Sequence, residues 1–376
     1  MTTILRASEP AELLSHVPAL AGCVPRRSLV LLPFSGRRAS GAMRVDLPAD
    51  DTELGAYVDG VTTVLLRVPE LDAVAVVVYC DETATETRDG LVLPLEVMVD
   101  ELIGTISDAG LRLADALCVT GDGWADYLAD EPVLRPLGEI APTPPPGSTI
   151  DEDQLSGAVL PPSTKEDRGR VRRAMRDLDA VLDDRAPGPS RPVVPKNPQA
   201  LAAAVMLDDV PQLAEDVLMR PEALPPFACA ALLLCLERPA LRDAILVQWA
   251  SGLQLGRDAL DDQGRHLRTG GMPTAAVGDV FLGRGPRPDP DRLRRALQAV
   301  RLAASLAPRR GRPGPLVAAA WLSWAAGRSS HAGEYLRMAQ EIEPQHRMAA
   351  LLQSMLAALV LPEWTLRQPS AGQGAT

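Results

Sequence analysis

Five polar side chains in the first fifty residues are candidates for a small-anion site: Arg6, Ser8, Ser28, Arg44 and Asp46. Guanidinium groups hold phosphates and carboxylates through paired hydrogen bonds, and a helix N-terminus adds backbone N–H donors. Because two of the five precede a predicted helix and three lie at predicted strands, folding would bring them into one cationic pocket. The alternative is structural: Ser8 caps the helix, and Arg44 pairs with Asp46 on the surface. We favour the structural interpretation and keep ligand binding as the alternative.

A second group of candidates follows the segment AVAVVVY at residues 73–79, the clearest strand in the sequence. The carboxylates Asp81, Glu82, Glu86 and Asp89 come soon after it. In open α/β sheets, ligands bind beyond the carboxyl ends of the strands. Carboxylates there bind a divalent metal or act as a general base. We favour the simpler interpretation of a solvated polar loop.

The motifs of common enzyme classes are missing from the sequence. It has no GxxxxGK[ST] phosphate loop, no GxGxxG fingerprint, no HExxH zinc motif and no GxSxG nucleophile elbow. The four histidines have no His or Cys at metal-ligand spacing. We therefore predict no catalytic residues, no metal and no cofactor, and lean towards a protein that is not an enzyme.

The cysteines lie in apolar runs and form no CxxC pair. This pattern is typical of small buried side chains in a reducing compartment. The five are Cys23, Cys80, Cys118, Cys229 and Cys235. We also find no signal-peptide pattern and no apolar run near the ~20 residues of a membrane span. The sequence thus favours a cytoplasmic protein without membrane association, and it does not indicate an oligomeric state.

Charge is distributed unevenly along the 376 residues, whose net charge is −11. Residues 1–130 hold 21 acidic residues and nine arginines, whereas residues 284–376 hold six acidic residues and 13 arginines. The overall acidity, and the lack of aromatic residues among the arginines of 292–312, argue against a nucleic-acid partner. Pairing between the acidic and basic parts explains the charge pattern as well.

The elements that would position the candidate residues alternate along residues 1–130. A helix that Gly22 ends is followed by a strand buried on both faces and its hairpin partner. The predicted elements are helices at 10–22, 53–67 and 91–109 and strands at 28–34, 41–47, 73–79, 111–120 and 124–128. Their order, α-β-β-α-β-α-β-β, predicts an α/β layered sheet domain.

The rest of the chain is predicted to be helical. Residues 131–197 are Pro-rich and contain one charged helix, which predicts a linker. Residues 198–376 alternate helices with Pro-marked turns and form an all-α domain. Its last part resembles a tetratricopeptide hairpin, because Trp324, Gly327, Ala339 and Pro344 occupy the large, turn, small and stop positions.

The opening segment LRASEPAELLSHVPALAGCVPRRSLVLLPF, followed by MRVDLP, resembles an actinobacterial family known only as a domain of unknown function. Further similarity lies at Gly123–Trp124, at VLPPSTKEDR (159–168), at LRDA (241–244) and in the terminal Trp-x-x-Ala-x-Gly helices. The resemblance spans nearly the whole chain and implies a soluble protein of two parts, with no activity attached. In the segment LADEPVLRPLGE (128–139) the family often has a cysteine and this chain has none, so a thiol or metal role there would be absent.

Together these observations predict a non-enzymatic binding or scaffold protein whose helical domain binds a protein partner. The alternative is a sensor or enzyme for a small anion or phosphorylated metabolite. Its site would lie in the α/β domain, at the residues named above.

Overall fold

The computed structural model describes residues 9–36, 38–39, 41–49, 51–88, 90–141, 150–185, 197–272 and 274–366. The chain divides into two compact units after Gly157. Unit 1 holds the described residues up to Gly157 together with Leu366, and unit 2 runs from Ala158 to Thr365. The predicted linker 131–197 is therefore divided between the two units.

Unit 1 is built on a mixed sheet, and its described strands number eight. They are β1 (Ser28–Ser35), β2 (Arg38–Ala39), β3 (Met43–Asp46), β4 (Ala73–Tyr79), β5 (Thr85–Thr87), β6 (Gly90–Val92), β7 (Arg112–Val119) and β8 (Trp124–Asp126). In the main sheet β1 lies between β3 and β4, followed by β7 and then β8, with β2 also pairing with β1. The β4–β7 pair is parallel and the other pairs are antiparallel. Strands β5 and β6 form a separate hairpin.

Three helices cover the two faces of this sheet: α1 (Pro10–Ala21), α2 (Leu54–Leu65) and α3 (Glu96–Asp108). Helix α1 packs on one face, where Leu14 and Val17 contact the β-strand core. Helices α2 and α3 pack on the other face. Strands β1 and β4 are buried on both faces, which explains their unbroken apolar sequences.

Unit 2 is all-helical in its described residues. Its helices are α4 (Lys165–Arg185), α5 (Pro198–Met206), α6 (Val210–Met219), α7 (Pro226–Glu237), α8 (Pro239–Ser251), α9 (Leu253–Thr269), α10 (Ala275–Phe281), α11 (Pro290–Leu306), α12 (Pro313–Ala325), α13 (Ser329–Gln340), α14 (Arg347–Ala357) and α15 (Glu363–Leu366). Several begin with proline in the first turn, where the missing N–H is not needed. Helix α12 is buried over its whole length and forms the centre of this unit.

The structure agrees with the predicted α/β region and helical region but differs in two places. The helix predicted at 91–109 begins only at Glu96, because residues 90–92 pair with β5 instead. The charged helix assigned to the linker is α4, and its apolar side Val171, Leu178 and Val181 is buried in the core of unit 2. Because most residues of this helix are charged, the sequence did not indicate that one side of it is buried.

No helix among the described residues is long and apolar enough to cross a membrane.

Candidate functional site

Five strand ends of unit 1 meet at one edge of the sheet. Tyr79 at the end of β4 pairs with Ser28 at the start of β1 and with Val119 at the end of β7. Ser28 also pairs with Asp46 at the end of β3, and Val119 with Trp124 at the start of β8. This edge lies at the carboxyl ends of the parallel strands, where α/β sheets bind ligands.

Three of the five predicted site residues come together at this edge. Arg44 Nη1 donates to Ser28 Oγ and to an Asp46 carboxylate oxygen, each at 2.7 Å. Ser28 Oγ in turn donates to the Arg26 carbonyl at 2.7 Å. The Arg44 side chain is only 12% exposed, whereas that of Asp46 is 76% exposed. The guanidinium is thus held against the sheet by two oxygen acceptors.

The other two predicted residues, Arg6 and Ser8, lie outside the described residues. The sequence analysis expected the N-terminus of the first helix near these residues, but the C-terminal end of α1 lies here instead. Helix α1 ends at Gly22, in the left-handed region at φ 76°, and leads through a short segment to β1. The neighbouring Cys23 interacts electrostatically with Tyr79 at the edge. The N-terminal turn of α1 lies at the other end of this ~18 Å helix, so its backbone N–H groups are not part of the cluster around Arg44.

A second cation, Arg27, lies next to this cluster. Its carbonyl accepts from the Leu47 N–H at 3.1 Å, and its Nη1 lies 3.8 Å from an Asp81 carboxylate oxygen. Arg27 is in the left-handed region at φ 44°, which is unusual for a residue with a side chain. The structure therefore joins the predicted acidic loop to the predicted arginine cluster, through one loose and exposed ion pair.

Tyr57 anchors the end of β3 from the other face of the sheet, which α2 covers. Tyr57 lies in the first turn of α2, and its hydroxyl donates to the Asp46 carbonyl at 2.9 Å. Burial, and then the charge of Asp46, raise the pKa of Tyr57, so its phenol stays protonated and keeps donating. The hydrogen bond fixes the end of β3 and, with it, the backbone that carries Asp46.

Two thiol groups lie at the same edge of the sheet, on the face opposite to the Arg44 side chain. Side chains alternate along strands, so the Cys80 and Cys118 side chains lie on the face covered by α2 and α3, where both contact that core. The Cys80 thiol donates to the Glu82 carbonyl at 3.6 Å. The Tyr127 hydroxyl donates to the Pro94 carbonyl, just before α3, at 2.6 Å.

The pKa shifts of the thiols differ between the two units. In unit 2, burial raises the pKa of Cys229 and of Cys235 to about 12, as expected of apolar surroundings. In unit 1, the hydrogen bond from Cys118 is the largest influence on Cys80 and lowers the pKa of the Cys80 thiol. The same hydrogen bond, with burial, raises the pKa of Cys118.

Similarity to known proteins extends over most of the chain. A family model described as a domain of unknown function (DUF4192) matches residues 10–261 and 281–363. The chain belongs to the DUF4192 family. Neither the curated proteins nor the solved structures gave a match.

Several polar groups of this DUF4192 chain were missed by sequence reasoning: Tyr57, Cys80, Cys118 and Tyr127. Two signals were available. Tyrosine occurs only four times in the chain, and Cys80 directly follows its most apolar strand. The convergence itself was not readable, because it depends on which strands are neighbours.

Three arginines of the basic segment 292–312 are bonded within unit 2. Arg292 pairs with Glu215, whose carboxylate also accepts from Gln248. Arg301 donates to the Val159 carbonyl and Arg312 to the Ala307 carbonyl. Among the described residues, no group of three or more His, Cys, Asp or Glu side chains is arranged to hold a metal ion.

Proposed function

We propose that this protein acts by binding rather than by catalysis, and that unit 1 binds a small anion at the Ser28–Arg44 end of its sheet. The observation that carries the proposal is the orientation of Arg44, fixed by 2.7 Å hydrogen bonds to Ser28 and Asp46. A guanidinium already held in place loses little conformational entropy when it receives a carboxylate or phosphate.

Arg27 supplies the second cation of the proposed site. Its side chain is 67% exposed and its contact with Asp81 is long, at 3.8 Å. Exposed pairs of this kind contribute ~0–1 kcal/mol, so an incoming anion can replace Asp81 as the partner of Arg27 at little cost.

The carboxylates at this edge limit the charge of the ligand. Asp46 and Asp81 lie beside the two arginines and repel additional negative charge. A metabolite with one carboxylate or one phosphate therefore suits the site better than a polyanion such as nucleic acid. All five cysteines are buried thiols, which also supports a reducing, cytoplasmic location for such a binding protein.

The test is a ligand screen against the full chain by thermal shift and calorimetry, with inorganic phosphate, sugar phosphates and dicarboxylates as probes. Arg44→Gln removes the oriented guanidinium. We expect it to weaken the binding of any anion that the screen identifies by about tenfold or more. Arg38→Gln is the matched control, because Arg38 pairs with Ser35 at the other end of β1 and its loss changes net charge equally. The proposed anion site would be refuted if both variants weakened the binding of an anion equally, or if none of the probes bound to the wild-type chain.

A second candidate function is protein binding by unit 2, which one observation favours. Helix α5 buries Ala200, Ala203 and Ala204 but exposes Leu201 and Val205, one helical turn apart. Adjacent exposed apolar side chains on one helix face are typical of helix-mediated contacts.

The helical hairpin of α12 and α13 supports the proposal of a partner-binding helical unit, although α12 itself offers no exposed surface. Gly327, at φ 78°, allows the turn between the two helices, and Trp324 and Ala339 pack inside, as in a tetratricopeptide hairpin. Helix α12 is buried along its length, so the partner surface is proposed on α5 rather than along α12.

Pull-down with the Leu201→Asp, Val205→Asp double variant tests this surface. Proteins captured by the wild-type chain should be lost by the double variant. They should be retained by Leu351→Asp, which adds a charge at an exposed leucine on α14. Identical capture by all three chains would exclude α5 as the partner surface.

A further inference from the structure

Three arginines of unit 2 lie around the C-terminal end of α11. Arg168 is in the first turn of α4, Arg309 begins the 3₁₀ turn after α11, and Arg312 directly precedes α12. The Arg312 N–H donates to the Arg309 carbonyl at 3.3 Å, which continues this turn. In a 3₁₀ turn, side chains three residues apart lie on the same side. Arg309 and Arg312 therefore project from one side of the turn, and Arg310 projects from another.

The end of α11 anchors two of these guanidiniums. Arg312 Nε donates to the Ala307 carbonyl at 3.2 Å. Arg168 Nη1 donates to the Ser163 carbonyl at 2.7 Å and to the Ser163 hydroxyl at 2.9 Å, and this hydroxyl donates to the Ser305 carbonyl at 3.0 Å. Since Ser305 and Ala307 are two residues apart, their Cα atoms are at most ~7 Å apart. The two arginines are thus held at the same place on the surface of unit 2.

No carboxylate of the described residues forms an ion pair with these three guanidiniums. Their hydrogen bonds end on neutral oxygens, including that of Arg309 Nη2 to the Glu341 carbonyl at 3.4 Å. The acidic side chains nearby have other cationic partners. Asp167 lies 3.9 Å from Arg170 Nη1, and the Glu341 carboxylate pairs with Arg337. The cluster therefore keeps a surplus of three positive charges.

This surplus is costly to the folded chain. Burial is the largest influence on the pKa of Arg312 and lowers it, and the charges of the other two arginines lower it further. Glu237 lies against Gly311 of the same turn, but it is within the electrostatic influence of Arg238. An anion that contacts the three guanidiniums would relieve their repulsion.

We propose that this arginine cluster binds the phosphate monoester group of a small molecule. Such a group carries about −1.5 to −2 charge at pH 7 and offers three acceptor oxygens, which suits three converging guanidiniums. Arg312 uses its Nε for the Ala307 carbonyl, so its Nη groups are left for the ligand. Arg309 is exposed and closes on the ligand from the solvent side. The proposal does not depend on the anion site in unit 1, where carboxylates lie beside the arginines.

The test is calorimetric titration of the full chain near neutral pH with inorganic phosphate and with glycerol 3-phosphate. Every chain carries Arg44→Gln, so that the site proposed in unit 1 does not contribute to the signal. We expect both probes to bind this reference chain. Acetate carries a single charge and should bind at least about tenfold more weakly. The proposal is wrong if neither phosphate probe binds, or if acetate binds equally well.

Three further substitutions in the reference chain locate the site. Arg309→Gln and Arg312→Gln each remove one guanidinium from the cluster and should weaken the binding of both probes by about tenfold or more. Arg310→Gln is the matched control, because it removes the same charge from the same turn but on a side chain directed elsewhere. It should change the affinity less than about twofold. Equal weakening by all three substitutions would indicate a general charge effect and overturn the site. Circular dichroism establishes that each variant is folded.

Discussion

At the scale of single residues, the described polar groups of the sheet edge hold one another in place. Ser28 is fully buried, yet its hydroxyl both accepts from Arg44 and donates to the Arg26 carbonyl. Removing one member leaves a buried polar atom without its partner, which costs about 1–3 kcal/mol. The same contacts that position Arg44 for a ligand therefore also stabilise the end of β1.

Gly123 is a residue of this edge whose substitution should be costly. A Cβ at this position would lie 2.7 Å from the Arg135 carbonyl oxygen and 2.5 Å from Leu134 Cγ. We expect Gly123→Ala to lower the free energy of unfolding by about 1–3 kcal/mol through overpacking, measured by urea denaturation.

The matched control for Gly123 is Gly104, which is exposed on α3 and where an added Cβ would meet nothing within 4 Å. Gly104→Ala should stabilise by about 0.5–1 kcal/mol through helix propensity. Similar effects of the two substitutions would show that the turn before β8 can relax.

At the scale of elements, caps and pairings decide where the segments begin. Helix α3 shows this most clearly, because Leu91 and Val92 were predicted in its first turn but lie in β6, which pairs with β5. Leu95 precedes the helix in the left-handed region at φ 59°, which is unfavourable for leucine and gives no sequence signal. Packing of the neighbouring residues, rather than local preference, sets this boundary.

Helix α14 carries a pH-sensitive cap. His346 Nδ1 accepts from the Ala349 N–H at 3.3 Å, so this nitrogen must be unprotonated. Burial is the largest influence and lowers the pKa of His346. The cap therefore stabilises the protein above the ordinary histidine pKa, and its contribution is lost as pH falls through the lowered folded-state pKa.

His346→Asn should keep the cap and remove its titration, because asparagine is a strong N-cap residue. Unfolding free energies of wild type and variant should be similar at pH 7. At pH 5 and below, the variant should become the more stable by about 0.5–1 kcal/mol. His266→Asn, at an exposed histidine of α9, is the control; a constant difference between wild type and His346→Asn across this range would rule out the titrating cap.

At the scale of the whole molecule, each unit has a hydrophobic core of its own. The core of unit 2 draws on residues from Ala158 to Trp364, and those of unit 1 on residues before Gly157. The basic character of the last third is also accommodated locally, since Arg292, Arg301 and Arg312 bond to groups of their own unit. The hydrophobic core of each unit is formed by residues of that unit, and these three arginines of unit 2 have partners in unit 2.

We therefore expect residues 158–366 to fold alone, with helical circular dichroism and a cooperative thermal transition. A fragment that begins at residue 198, the boundary predicted from sequence, lacks α4 and should be less stable by on the order of 5 kcal/mol. The reason is the loss of buried contacts of Val171, Leu178 and Val181. Equal stability of the two fragments would mean that α4 is dispensable for this core.

The elements with a local pattern could be predicted from the amino-acid sequence. The apolar runs of β1 and β4, the glycine after α1 and the prolines that begin the helices of unit 2 are all readable, because burial and backbone restrictions act on adjacent residues. The resemblance to a family of unknown function was readable for the same reason and was confirmed by the DUF4192 match.

The contacts at the sheet edge, in contrast, depend on the folded structure of unit 1. Arg44 reaches Ser28 across 16 residues, and Tyr127 reaches the Pro94 carbonyl across 33 residues. Strand order and register set these contacts, and they depend on how apolar surface is buried throughout unit 1 rather than on any short segment. For that reason the sequence left Arg44, Ser28 and Asp46 open between a shared pocket and a surface pair, whereas the hydrogen bonds of Tyr57 and Tyr127 to backbone carbonyls emerged only after folding.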